Sequence, residues 1–105
     1  MANPTIIIKH RDTHNLVLNV GSVGGAVDLT GASVRILIRP RGEVVEGEVL
    51  TASVTDPLTG QITHALTGTI AVGVYDLEVE ITQGGRISTT PTDGYVTLVV
   101  QQDVA

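Results

Sequence analysis

Cysteine, phenylalanine and tryptophan are absent from this 105-residue chain, methionine occurs once and tyrosine twice. Each absence closes a route. Without Cys there is neither a disulfide nor a thiolate metal site, so the fold must stand without staples. Without large rings the core must be aliphatic, and the dominance of Val, Ile and Leu favours strands over helices. Two tyrosines build no stacking platform for single-stranded nucleic acid. Basic residues are also scarce: six Lys and Arg against eleven Asp and Glu leave a net charge of −5, with no basic face to neutralise phosphates. Nucleic acid is therefore not an expected partner. No apolar run approaches the length of a membrane span, so no membrane partner is expected. Pro4 interrupts the N-terminus and Ile6-Ile7-Ile8 is too short for the apolar region of a signal peptide, which predicts a protein made and kept in the cytoplasm until used.

The pattern that remains is strands punctuated by turns. No linker divides the chain and no repeat recurs, so residues 1–105 are expected to form one domain, burying roughly 65% of its extended surface in one modest core. The most regular stretch follows Tyr75: Tyr75, Leu77, Val79 and Ile81 alternate with Asp76, Glu78, Glu80 and Thr82, the period of two of a half-buried strand. Strands are predicted at residues 5–9, 15–20, 33–39, 46–55, 61–66, 73–82, 86–90 and 95–101. In 33–39, Val34, Ile36 and Ile38 share one face while Arg35, Leu37 and Arg39 take the other, and Pro40 stops the strand. In 46–55, Leu50, Ala52 and Val54 share a side. The connections are a polar turn at Arg11-Asp12-Thr13, a loop at Gly21-Ser22-Val23-Gly24-Gly25, and turns at Arg41-Gly42, Gly84-Gly85 and Pro91-Thr92-Asp93-Gly94. At Asp56-Pro57-Leu58-Thr59-Gly60, Asp accepts backbone hydrogen bonds, Pro presets φ and Gly closes with positive φ. No helical stripe of ten residues is present. The fold class expected is all-β, an immunoglobulin-like antiparallel sandwich of seven or eight strands. Gly73 and Tyr75 stand where such sandwiches carry a tyrosine corner, whose phenol ties down the preceding connection. This predicts a buried Tyr75 ring bonded to backbone among residues 67–72.

Chemistry is thin. His10, Asp12 and His14 would point to one side of an extended strand, a set suited to Zn²⁺ or Fe²⁺, but no further shell accompanies them, and a polar turn between the first two strands is the expected reading. His64 alternates with Ile62 and Leu66 and reads as a partly covered strand residue. Gly21-Ser22-Val23-Gly24-Gly25 lacks the Lys and the following helix of a phosphate cradle, and no nucleophile motif occurs. Asp76, Glu78 and Glu80 read as a solvated strand face with no cleft beside them, available to pair with Arg35 and Arg39 across a neighbouring strand. The expectation is a protein with no catalytic site, no cofactor and no metal.

Four stretches carry a family resemblance: Leu29-Thr30-Gly31-Ala32-Ser33-Val34, then Val54-Thr55-Asp56-Pro57-Leu58-Thr59-Gly60-Gln61-Ile62, then Gly73-Val74-Tyr75-Asp76-Leu77-Glu78-Val79, and finally Gly94-Tyr95-Val96-Thr97-Leu98-Val99-Val100. Over residues 27–101 the chain resembles small immunoglobulin-like domains in structural proteins of tailed bacteriophages, including the N-terminal domain of siphophage baseplate upper proteins. The resemblance implies a non-enzymatic virion component in tail, baseplate, neck or head decoration, an adaptor docked on other phage virion proteins in multiple copies of a symmetric assembly. A carbohydrate- or ligand-binding sandwich module is the alternative, disfavoured by the shortage of aromatic rings. The residues expected to touch a partner are Ile6, Ile7 and Ile8, which put apolar side chains on both faces of one strand, and Leu37 on the outward face of its own. A strand switching between the two sheets within one molecule would equally account for the three isoleucines.

Overall fold

Alternating aliphatic and polar residues commit most of the chain to strands in the computed structural model, which describes residues 5–22, 25–26, 28–43, 47–91 and 95–104. Eleven strand segments occur among the described residues, and no helix: β1 (Thr5–Lys9), β2 (Asn15–Asn19), β3 (Gly21–Ser22), β4 (Gly25–Ala26), β5 (Ser33–Pro40), β6 (Glu48–Thr51), β7 (Ser53–Asp56), β8 (Gln61–Ala65), β9 (Gly73–Gln83), β10 (Arg86–Thr90) and β11 (Val96–Gln101). The expected strand start at Glu46, the middle of the expected loop at Val23 and Gly24, and the turn Thr92-Asp93-Gly94 lie outside the described residues.

Two sheets form the sandwich. The first runs β1-β11-β9-β5-β6, with β10 also on β9; the second runs β2-β8-β7. In order and pairing, β2-β8-β7 and β5-β9-β11 reproduce the two sheets of an immunoglobulin-like sandwich. β9 is the organising strand. β5 pairs along its whole length on one side, while β11 and β10 share the other, β11 opposite residues 73–77 and β10 opposite residues 79–83. Gly84 and Gly85 both have positive φ, 60° and 77°, the two central positions of a type I′ hairpin between β9 and β10.

The core between the sheets is aliphatic, with Leu29, Ile36, Ile38, Ile62, Leu77, Leu98 and Val100 fully enclosed and Tyr75 as its one ring. Burial follows the alternation: Tyr75, Leu77, Val79 and Ile81 are all buried, each separated by a partly covered polar residue.

Four details depart from the sequence reading. The strand expected at 46–55 is broken at Ala52: Thr51 pairs with Arg35 in the first sheet and Ser53 with Thr63 in the second, so the chain crosses between sheets within one residue. Leu50, Ala52 and Val54 all still pack on the core, which is why the period showed no interruption. In the stretch expected as a loop at 21–25, Gly21 and Ser22 pair antiparallel with Ala26 and Gly25, joining β3 to β4. β5 continues through Pro40, an edge-compatible strand end because the next residue's amide, Arg41 N–H, still bonds Val74 C=O at 2.9 Å. Finally, the sheet is not wholly antiparallel: β1 runs parallel to β11, since it enters the sandwich beside the last strand, Ile7 opposite Val99.

Candidate interaction surface

The outward face of the first sheet is set by register. Residues directly opposite one another share a face, and reading across the strands gives rows of neighbours. One row is wholly apolar: Ile7 on β1, Val99 on β11 and Val74 on β9. Ile7 is 60% exposed and Val74 43%, with Val99 partly covered between them. A second row crosses from Glu78 through Leu37 to Val49, which is 45% exposed. Leu37 itself is half-buried.

Charged rows separate the apolar ones. Arg35 and Glu80 face each other across β5 and β9 and form a two-pronged bond, Nε to Oε1 at 2.7 Å and Nη2 to Oε2 at 3.2 Å. Those donors hold the Glu80 carboxyl below its usual range and raise the guanidinium. Asp76 takes two partners, Arg41 Nε at 2.8 Å and Arg39 Nη2 at 3.6 Å, while Arg41 Nη2 also donates to Thr97 Oγ1 at 2.7 Å. The Arg39 guanidinium lies 5.3 Å from the centre of the Tyr95 ring. The expected pairing of Arg35 and Arg39 with the β9 carboxylates is present for Glu80 and Asp76; Glu78 faces Leu37 instead. Arg41 is the addition: sequence reasoning placed it in a turn, and only the bond from its backbone to Val74 aims it at Asp76. Contrary to the expectation of no cleft, Arg35, Leu37, Arg39, Val49, Glu78 and Tyr95 line a shallow depression of about 200 Å³.

The three isoleucines separate by face. Ile8 is buried and Ile6 packs on the core, whereas Ile7 points outward. β1 stays in the first sheet from Thr5 to Lys9, so a switch between sheets does not cover Ile7.

The His10–His14 segment is a structural turn. Asp12 Oδ2 accepts the Lys9 backbone N–H at 2.9 Å, and the Asp12 N–H returns to Lys9 C=O at 3.1 Å. His10 Nδ1 lies 2.7 Å from Ile70 C=O, and His14 Nδ1 3.7 Å from Asp12 Oδ2. Among the described residues no group of three His, Cys, Asp or Glu is placed to hold a metal. His64 is more enclosed than expected: it is the one buried polar side chain among the described residues, and its Nδ1–H donates to Thr51 C=O at 2.6 Å, joining β8 of one sheet to β6 of the other.

Tyr75 is a corner residue. Its ring is 9% exposed and its hydroxyl donates to Ala71 C=O at 2.7 Å, inside the stretch expected from sequence. Desolvation raises the phenol's pKa, with the Glu48 carboxylate adding to it. Gly73 packs beside that ring, but a Cβ there would meet it at 3.7 Å, an ordinary contact, so the corner does not demand glycine. No protein-family model matches this chain and no curated protein matches it, so the geometry stands without a relative's function attached.

Proposed function

We propose that this protein is a non-enzymatic structural component of a tailed-bacteriophage virion, in tail, baseplate, neck or head decoration, working as an adaptor through protein–protein contacts in several copies. The observation that carries the reading is the uncovered row Ile7–Val99–Val74 at the β1 side of the first sheet. Contiguous aliphatic side chains on an exposed face mark a docking surface rather than a solvated one. The adjacent Arg41–Asp76 pair, with Thr97 bonded to the same guanidinium, supplies a polar rim. A second virion protein packing on this row would cover Ile7 on its outer side, as Ile6 and Ile8 are covered on their inner side. The partners are other phage proteins; nucleic acid and membrane are not invoked.

The alternative, a carbohydrate- or ligand-binding module, draws on the depression beside Tyr95. There the ring is met by the Arg39 guanidinium, and a sugar stacking on that face would first have to displace it.

The test is an Ile7→Lys variant supplied to particles in place of the native protein. Ile7 points to solvent in the isolated chain, so the variant is expected to fold and yet to fall at least tenfold in particle incorporation. Incorporation at the native level would remove this row from the interface.

A further inference from the structure

The second sheet carries an edge that no other part of the described chain covers, and its sequence is a palindrome: Asn15-Leu16-Val17-Leu18-Asn19. β2 pairs with β8 on one side only. Val20 N–H bonds Gly60 C=O at 2.8 Å, and Leu66 N–H bonds His14 C=O at 3.2 Å. By the alternation of an antiparallel ladder, the even-numbered residues of β2 therefore bond inward to β8. Asn15, Val17 and Asn19 direct their N–H and C=O groups to the open edge. The side chains divide the same way: Leu16 and Val20 are buried and Leu18 packs on the core, while Val17 is 48% exposed between two exposed asparagines.

Open edges are usually guarded by charge, proline or irregularity. β1 is closed at Lys9 by both bonds to Asp12. Glu48 opens β6, Asp56 ends β7, and Arg86 opens β10. β2 alone among these carries no charge on any of its five residues. It also borders an apolar groove of about 460 Å³ between the two sheets, lined by Ile6, Leu18, Val20, Leu77, Val79 and Val96.

We propose that β2 is a homodimer edge, pairing antiparallel with β2 of a second copy about a twofold axis through Val17. An isologous interface requires a surface complementary to itself, and the palindrome supplies that residue by residue. Val17 meets Val17, Asn15 meets Asn19 and Leu16 meets Leu18. All three outward-directed residues then oppose outward-directed residues, so six main-chain hydrogen bonds form with none left over. Self-complementarity favours a second copy as the occupant: chains of net charge −5 repel one another as wholes, and the uncharged β2 is an edge where two copies pair without setting like charges directly opposite each other. A stable interface buries on the order of 1,200 Å² or more, beyond what five paired residues cover. The apolar groove bordering β2 in each copy would lie beside the twofold axis, and the remainder of that area would come from it. The joined sheet is six-stranded, β7-β8-β2 continuing into the same strands reversed. This dimer does not rest on the virion reading.

Cysteine cross-linking tests both partner and register, and the native chain contributes no thiol of its own. In the proposed register the two Val17 Cα atoms lie about 5.5 Å apart, inside the range a disulfide spans. Two Asn15 Cα atoms lie about 13 Å or more apart. Val17→Cys should therefore oxidise to a covalent dimer, Asn15→Cys and Asn19→Cys should each fail to link to themselves, and a mixture of those two should link to each other. Without cross-linking, sedimentation of the native protein should give twice the 10.9 kDa chain mass. Val17→Lys should weaken dimerisation at least tenfold, and Ser53→Lys, exposed on β7 at the opposite edge of the second sheet, should leave it unchanged. A native protein that sediments as a monomer, a dimer indifferent to Val17→Lys, or equal self-linking of all three cysteine variants overturns the proposal. A monomer that binds an added foreign strand at β2 does so too. None of these outcomes bears on whether the protein is found in particles.

Discussion

The tyrosine corner offers the cleanest single-atom perturbation in the molecule. Tyr75→Phe removes one oxygen from a side chain 9% exposed and leaves the packing of its ring in place. What is lost is the 2.7 Å bond to Ala71 C=O. Such a bond contributes about 0.5–1.5 kcal/mol net, and an acceptor left dry raises the cost. Ala71 is exposed, so water replaces the phenol at its carbonyl and the cost stays near 1 kcal/mol. With an unfolding entropy near 2.1 cal/mol/K per residue over 105 residues, that is a fall in Tm of about 4–5 °C. Urea unfolding should show a lower midpoint with an unchanged slope, because the surface exposed on unfolding does not change. Gly73→Ala is the control: its Cβ makes only ordinary contact with the same ring, so it should change stability by less than about 1 kcal/mol, toward greater stability if the loss of unfolded-chain freedom dominates. A Tyr75→Phe protein within about 0.3 kcal/mol of the native one would refute the corner as a stabilising device.

Two further perturbations probe the sandwich. His64→Ala should destabilise by about 2–4 kcal/mol in a urea titration, since it opens a cavity at a buried site and removes the bond to Thr51 C=O where the chain crosses between sheets; a loss under about 1 kcal/mol would mean the bridge contributes little. Glu80 binds protons less readily folded than unfolded because Arg35 holds its carboxylate, so its stabilising contribution is complete above its usual value of 4.5 and disappears as pH falls through the lower folded value. Glu80→Gln should therefore flatten the acid side of the stability–pH curve, most visibly at low salt; an unchanged acid limb would refute the coupling.

Much of the architecture was legible in alternation alone. The period of two from Tyr75 placed β9 and its buried face, and the turn glycines at 84 and 85 placed the β9–β10 hairpin. Opposite charges on β5 and β9 anticipated the Arg35–Glu80 pair, because cross-strand neighbours are fixed once two strands are adjacent. What escaped is non-local. The crossing at Ala52 leaves no mark, since inward residues on either side of it stay in phase. Arg41 reads as a turn residue until the backbone of β9 holds it over Asp76. The isoleucines at 6–8 show that one strand needs cover on both faces, and only the sheet order reveals that Ile7 is the one left uncovered. The exposed row it forms with Val99 and Val74 comes from three distant segments, and no local pattern announces it.

Lys9 makes the central claim directly measurable. It is the only lysine in the sequence, and it follows the uncovered row on the same strand as Ile7, exposed at the sheet's outer edge. Lysine-directed cross-linking of intact, purified phage particles, read by mass spectrometry for peptides containing Lys9, therefore reports on this side of the sandwich. The account predicts that the protein is present in the particles and that Lys9 is joined to a different virion protein. Its absence from purified particles would contradict the account.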